Sequence, residues 1–141
     1  MRTILIGIGL LGMVWLGCTS KGQQEGEPTD QAVAAAAAWL QMVDNAQYGE
    51  TWEQACAYFK GAVPKEQWET QIRGVRGPLG AVLSREVDSA KFTTSLPGAP
   101  DGEYVVIQYR TRFENKTSAI ETVTPMRDPD GTFRVSGYYI R

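Results

Sequence analysis

The chain has 141 residues, 14 Lys+Arg against 16 Asp+Glu for a formal net charge of −2, and no histidine. That length predicts one domain, and the charge balance provides no basic field for nucleic acid. Without histidine, Ser-His-Asp and Cys-His catalysis and His-ligated zinc are excluded. Two cysteines are too few for a structural zinc site or a disulfide framework. No metal and no cofactor is expected.

Met1-Arg2-Thr3 is a short positive start, and Ile4 to Leu16 carries no charge. As a helix this run covers roughly 20 Å, against about 30 Å of bilayer hydrocarbon. Residues 1–17 are therefore read as a signal peptide, not a span. Trp15-Leu16-Gly17-Cys18 resembles a bacterial lipobox, in which a small residue precedes the lipidated cysteine. Trp15 and Leu16 depart from the usual leucine and small residue. The resemblance implies cleavage before Cys18, a lipid on its sulfur and a membrane anchor without a spanning helix. Thr19 is not the aspartate of an inner-membrane retention signal. The expected location is thus the bacterial cell envelope, on the outer membrane facing the periplasm. The plainer alternative is ordinary cleavage, with Cys18 left as a thiol. Gly7-Ile8-Gly9-Leu10-Leu11-Gly12 fits G-x-G-x-x-G, but no strand precedes it and a cleavage region follows, so it is discarded as a nucleotide site.

Residues 18–29, ending in KGQQEGEPT, cannot bury apolar surface and are read as a flexible tether. Residues 30–141 form the single domain. Asp30 is the expected N-cap of a first helix, with Pro28 outside it. Val33, Ala36, Leu40 and Val43 make its apolar stripe, with Trp39 beside them. Gly49 marks a break. Trp52, Ala55, Cys56 and Phe59 then predict a second helix, and Pro64 opens a third carrying Trp68, Ile72 and Val75. Gly77-Pro78 ends it.

From Val82 the period changes to two, and four strands are expected: 82–91, 104–114, 118–126 and 132–140. A two-residue turn at Asn115-Lys116 would pair Arg112 with Ala119 and Arg110 with Glu121, a cross-strand ion pair. The turn at Asp128-Pro129-Asp130-Gly131 would set Met126 opposite Phe133 and Ile120 opposite Tyr139. One face then collects Val105, Ile107, Tyr109, Phe113, Ile120, Met126, Phe133, Val135 and Tyr139. The other holds Arg110, Arg112, Glu121, Arg134 and Ser136 with Val106, Val123 and Tyr138, and is either solvated or a homodimer contact. The fold class is α+β, with N-terminal helices packed on one face of a curved four-stranded antiparallel sheet. This order resembles the cone-shaped folds related to nuclear transport factor two and cystatin, which host many functions.

Several short runs resemble the domain of unknown function family numbered 4019. They are Trp39-Leu40-Gln41-Met42-Val43-Asp44 with Tyr48 and Trp52, Val75-Arg76-Gly77-Pro78-Leu79-Gly80 with Ser84-Arg85, Leu96 to Tyr104, Glu121-Thr122-Val123 and Gly137-Tyr138-Tyr139. Phe133 stands where members often show Trp. The resemblance implies a small secreted or lipid-anchored bacterial protein and no activity.

Asp44 falls at the end of the first helix, where the macrodipole disfavours an anion. It needs a partner such as Arg73, Arg76, Arg85, Tyr48 or Trp52, and is either a structural carboxylate or a general base. Arg76 and Arg85 flank the Gly-Pro-Leu-Gly corner and either pair with Asp44 or Glu86 or bind an anion. Trp39, Trp52 and Trp68 are core side chains or pocket walls. Tyr109 and Tyr139 point inward and need hydroxyl partners. Cys56 is read as a buried, inert thiol. Together these residues suggest an anchored binding module whose partner is another envelope protein or a small apolar or anionic ligand. The rival is a histidine-independent acid–base enzyme using Asp44 or Glu121 with an inward tyrosine.

Overall fold

The computed structural model describes residues 26–141. The signal segment, Cys18 and tether residues 18–25 lie outside the described residues. Helix α1 runs Gly26–Asp44. It starts four residues ahead of Asp30, so the end of the expected tether is helical. Pro28 sits in the first turn, where a missing N–H breaks no helical bond. Alanine-rich sequence favours the helix, and Ala32, Ala36, Trp39, Leu40 and Val43 form its buried stripe.

The break after α1 is not at Gly49. Ala46 takes φ 57°, Ala46 N donates to Val43 O at 3.0 Å, and Gln47 N to Met42 O at 2.9 Å. This is a Schellman cap with alanine at the left-handed position normally held by glycine. Gly49 lies inside α2, Tyr48–Glu53. The expected second helix is two short ones, α2 and α3, Ala57–Ala62. Cys56 is the N-cap of α3, its sulfur accepting from Phe59 N at 3.4 Å. Helix α4, Lys65–Arg76, buries Trp68, Ile72 and Arg76, while Val75 is 47% exposed. The buried stripe thus ends in an arginine where sequence periodicity placed Val75. Gly77–Leu79 forms a 3-10 turn. Gly80 follows at φ 73°, where a Cβ would meet Glu114 Cβ at 3.0 Å, so this corner requires glycine.

Strands β1 (Val82–Thr93), β2 (Tyr104–Phe113), β3 (Lys116–Arg127) and β4 (Phe133–Ile140) form one antiparallel sheet in the order β1-β2-β3-β4. The fold is α+β, as expected, but the register differs. Phe113 pairs with Lys116, so the turn lies at Glu114-Asn115, and Arg110 faces Ile120 while Tyr109 faces Glu121. Bulges fall at Leu83 and Asp88 on β1, within 117–118 on β3 and at Ser136 on β4. The second hairpin pairs Arg127 with Phe133 and, beyond Ser136, Thr122 with Tyr139.

A one-residue slip exchanges the two faces of a strand. Glu121, Val123 and Tyr138 therefore face the helices, not the outer side. Ile120 and Met126 leave the expected inner face, and Tyr139 is 56% exposed. The core joins the α1 stripe, Trp68 and Ile72 to Val105, Ile107, Tyr109, Val123, Phe133 and Val135. Each fully buried large side chain contributes roughly 1.5–3 kcal/mol.

The three helical tryptophans are core side chains with specific acceptors. Trp39 Nε1 donates to Thr51 O and Trp68 Nε1 to Thr51 Oγ1, both at 2.9 Å. Trp52 Nε1 donates to Val63 O at 2.7 Å. Thr51, fully buried, thereby joins three helices, a role that no pattern in the sequence marks.

Candidate functional site

Asp44, the last residue of α1, meets two guanidinium groups brought by separate elements. Arg76, at the end of α4, donates Nη2 to Asp44 Oδ1 at 2.8 Å. Arg85, on β1, donates Nη1 to Oδ2 at 2.7 Å and Nη2 to Oδ1 at 2.9 Å. The paired fork compensates the unfavourable dipole end. Asp44 keeps 27% side-chain exposure and Arg76 only 5%.

Arg85 also reaches the second carboxylate. Its Nε donates to Glu121 Oε1 at 2.7 Å and its Nη2 to Oε2 at 3.2 Å. Glu121 is fully buried, because the β3 register turns it inward beside Val123. Thr111 Oγ1, on the adjacent strand, donates to Oε1 at 2.5 Å. Tyr138 Oη donates to Oε2, with Arg76 Nη1 3.5 Å from the same hydroxyl. Two guanidinium groups thus face two carboxylates, and the cluster carries no net charge. Such a group tolerates burial because its charges are paired and hydrogen-bonded.

The titration behaviour follows from this packing. Burial pushes the Asp44 carboxyl up, but Arg85 and Arg76 outweigh it and hold the group below its usual value. Burial, then the Glu121 charge and hydrogen bond, push the Tyr138 phenol far above the ordinary tyrosine range. Burial also raises Tyr109, whose hydroxyl has no partner among the described residues. Arg76 Nε is orphaned in the same way.

Of the expected site residues, Asp44, Arg76 and Arg85 come together, with Tyr109 beside them. Tyr48 is elsewhere, with Arg73 over its ring at 5.8 Å. Trp52 serves Val63, and Tyr139 points outward because Ser136 bulges β4. The Arg110–Glu121 pair is not formed: Arg110 binds Asp88 at 2.6 Å. Sequence reasoning missed Thr111 and Tyr138 as members and gave Glu121 the wrong face. One signal was readable, since Glu121 and Val123 share a strand face and Val123 is the better core residue. Cys56 is a buried free thiol, raised by burial.

An open groove of about 370 Å³ runs between α4 and the end of β4, walled by Trp68, Ile72, Val75, Tyr138 and Ile140. Another, of about 360 Å³ on the outer sheet face, is lined by Ser84, Glu86, Arg110, Arg112, Thr117 and Ser118. Among the described residues no cluster of Cys, Asp and Glu could hold a metal. No described helix is long and apolar enough to cross a membrane.

A comparison with curated protein sequences finds no match. A family model described as a protein of unknown function, DUF4019, matches residues 35–138, from the alanines of α1 to the inward tyrosine of β4. The chain belongs to the DUF4019 family of proteins of unknown function.

Proposed function

We propose that this is a lipid-anchored protein of the bacterial envelope, held through Cys18 on the outer membrane facing the periplasm, which works by binding an envelope protein or a small ligand. The observation that supports binding over catalysis is the occupancy of the two inner carboxylates. A general base needs a lone pair aimed at a substrate. Asp44 accepts three hydrogen bonds from Arg76 and Arg85, which hold its carboxyl below its usual value and make it a weak base. Both Glu121 oxygens are taken by Arg85, Thr111 and Tyr138. Binding surface is available in the two open grooves, the outer of which mixes hydroxyls and arginines with the Glu86 carboxylate.

One observation favours an acid–base enzyme. The Tyr109 hydroxyl is buried near both Arg85 and Glu121 with no hydrogen-bond partner among the described residues, the kind of polar group that a proton-transfer site would use. Two experiments test the proposal. Cys18→Ala should move the protein from the membrane to the soluble fraction; unchanged fractionation overturns the anchor. Chemical crosslinking in intact envelopes should capture a reproducible partner or ligand. Turnover of a metabolite by the purified protein, abolished by Glu121→Gln in a chain that remains folded, overturns the binding reading.

A further inference from the structure

The two edges of the sheet are defended differently. Strand β1 is interrupted by bulges at Leu83 and Asp88 and carries Lys91, features that discourage edge-to-edge pairing. Among the described residues, the edge of strand β4 is hydrogen-bonded only at its start, where Cys56 N donates to Val135 O at 2.9 Å. Beyond the Ser136 bulge it runs regularly through Gly137, Tyr138, Tyr139 and Ile140, without a charge.

The ladder fixes which backbone groups point outward. Ile120 and Arg141 exchange both hydrogen bonds, at 2.9 and 3.1 Å. In an antiparallel pair, bonded and non-bonded positions alternate. Tyr139 and Gly137 therefore bond to β3, while the N–H and C=O of Tyr138 and Ile140 point away from the sheet. None of these four groups has a partner among the described residues. They adjoin the apolar groove against α4, whose rim holds Val75, 47% exposed, and Tyr139, 56% exposed.

We propose that this edge binds a second copy of itself, joining two sheets into one eight-stranded sheet about a two-fold axis at Tyr139. The edge is self-complementary. With Tyr139 opposite Tyr139 of the second copy, each Tyr138 faces an Ile140, and the four outward groups of each chain pair completely. On the inner side, Ile140 of each copy enters the groove beside Tyr138, Ile72 and Val75 of the other. On the outer side the two Tyr139 rings form an aromatic cross-strand pair. The proposal depends neither on the anchor nor on a ligand.

A non-bonded antiparallel pair has a Cα separation of about 4.5 Å, which a disulfide accepts. Full-length Tyr139→Cys, oxidised in intact envelopes, should give a band of doubled mass, and Tyr58→Cys and the parent chain should give none. Adding Ile140→Pro deletes an outward N–H that β3 does not use, and should abolish the band while the melting temperature stays within a few degrees. Tyr139→Asp sets like charges opposite each other and should weaken the association at least tenfold in sedimentation. The proposal is overturned by no doubled band from Tyr139→Cys, by an adduct of another mass in its place, by an equal band from Tyr58→Cys, or by Tyr139→Asp associating as the parent does.

Discussion

The inner cluster and the surface ion pairs use the same chemistry with different consequences. Arg85 and Glu121 are 15% and 0% exposed, whereas Lys65 and Glu53 are 42% and 51% exposed and 2.8 Å apart. Water can solvate either member of the second pair when its partner is lost. In the first, Arg85 keeps Asp44 and Glu121 keeps the Thr111 and Tyr138 hydroxyls, but no counter-charge replaces the guanidinium beside the buried Glu121. A buried ion pair therefore adds little net stability over an apolar equivalent, yet breaking it by half is severe. The inner cluster also spans α1, α4, β1, β2, β3 and β4, so it specifies how the helices seat on the sheet. Lys65–Glu53 only links the start of α4 to the end of α2.

Breaking the cluster at its centre should have the largest effect. Arg85→Ala leaves Glu121 buried with a charge and should cost about 3–5 kcal/mol in urea unfolding. A loss as small as a surface pair gives would erase the contrast. Tyr138→Phe removes one hydrogen bond to a charged acceptor and should cost about 1.5–3 kcal/mol, measured the same way.

Acid separates the regions further. Asp44 has a folded pKa below its unfolded value, owing to Arg85 and Arg76 against the opposing pull of burial. Its contribution is therefore complete above the unfolded pKa and declines as pH falls through the folded one. Melting temperature should fall on acidification below about pH 4, and Asp44→Asn should flatten that slope. An unchanged slope would remove Asp44 from the cluster's energetics. Lys65→Ala, at the exposed pair, should leave the melting temperature unchanged within error at moderate salt.

Element types were legible in the sequence because each carries its own periodicity. Ala32 to Val43 repeats at helical spacing, and Val105, Ile107 and Tyr109 alternate. The pairing of Asp44 with Arg76 or Arg85 was legible too, since a carboxylate at a helix C-terminus demands a cation. Bulges were not legible. Ser136 has no feature that marks an extra residue, yet it decides that Tyr138 points inward and Tyr139 outward. Moving the first turn by one residue carried Glu121 from an expected surface pair with Arg110 to the buried centre of the cluster. Ala46 shows the same limit, because its left-handed backbone is imposed by the packing of α1 on α2. Ala46→Gly should relieve that strain and stabilise the protein by up to about 1 kcal/mol.

A double-mutant cycle between Arg85 and Glu121, by urea unfolding at neutral pH, tests most directly whether the cluster fastens the fold. Arg85→Met and Glu121→Leu should each be strongly destabilising, and the double variant should recover much of the loss, with a coupling of at least about 2 kcal/mol. Single variants as stable as the parent or more so, with additive effects, would contradict this and mark side chains retained for chemistry at the expense of stability.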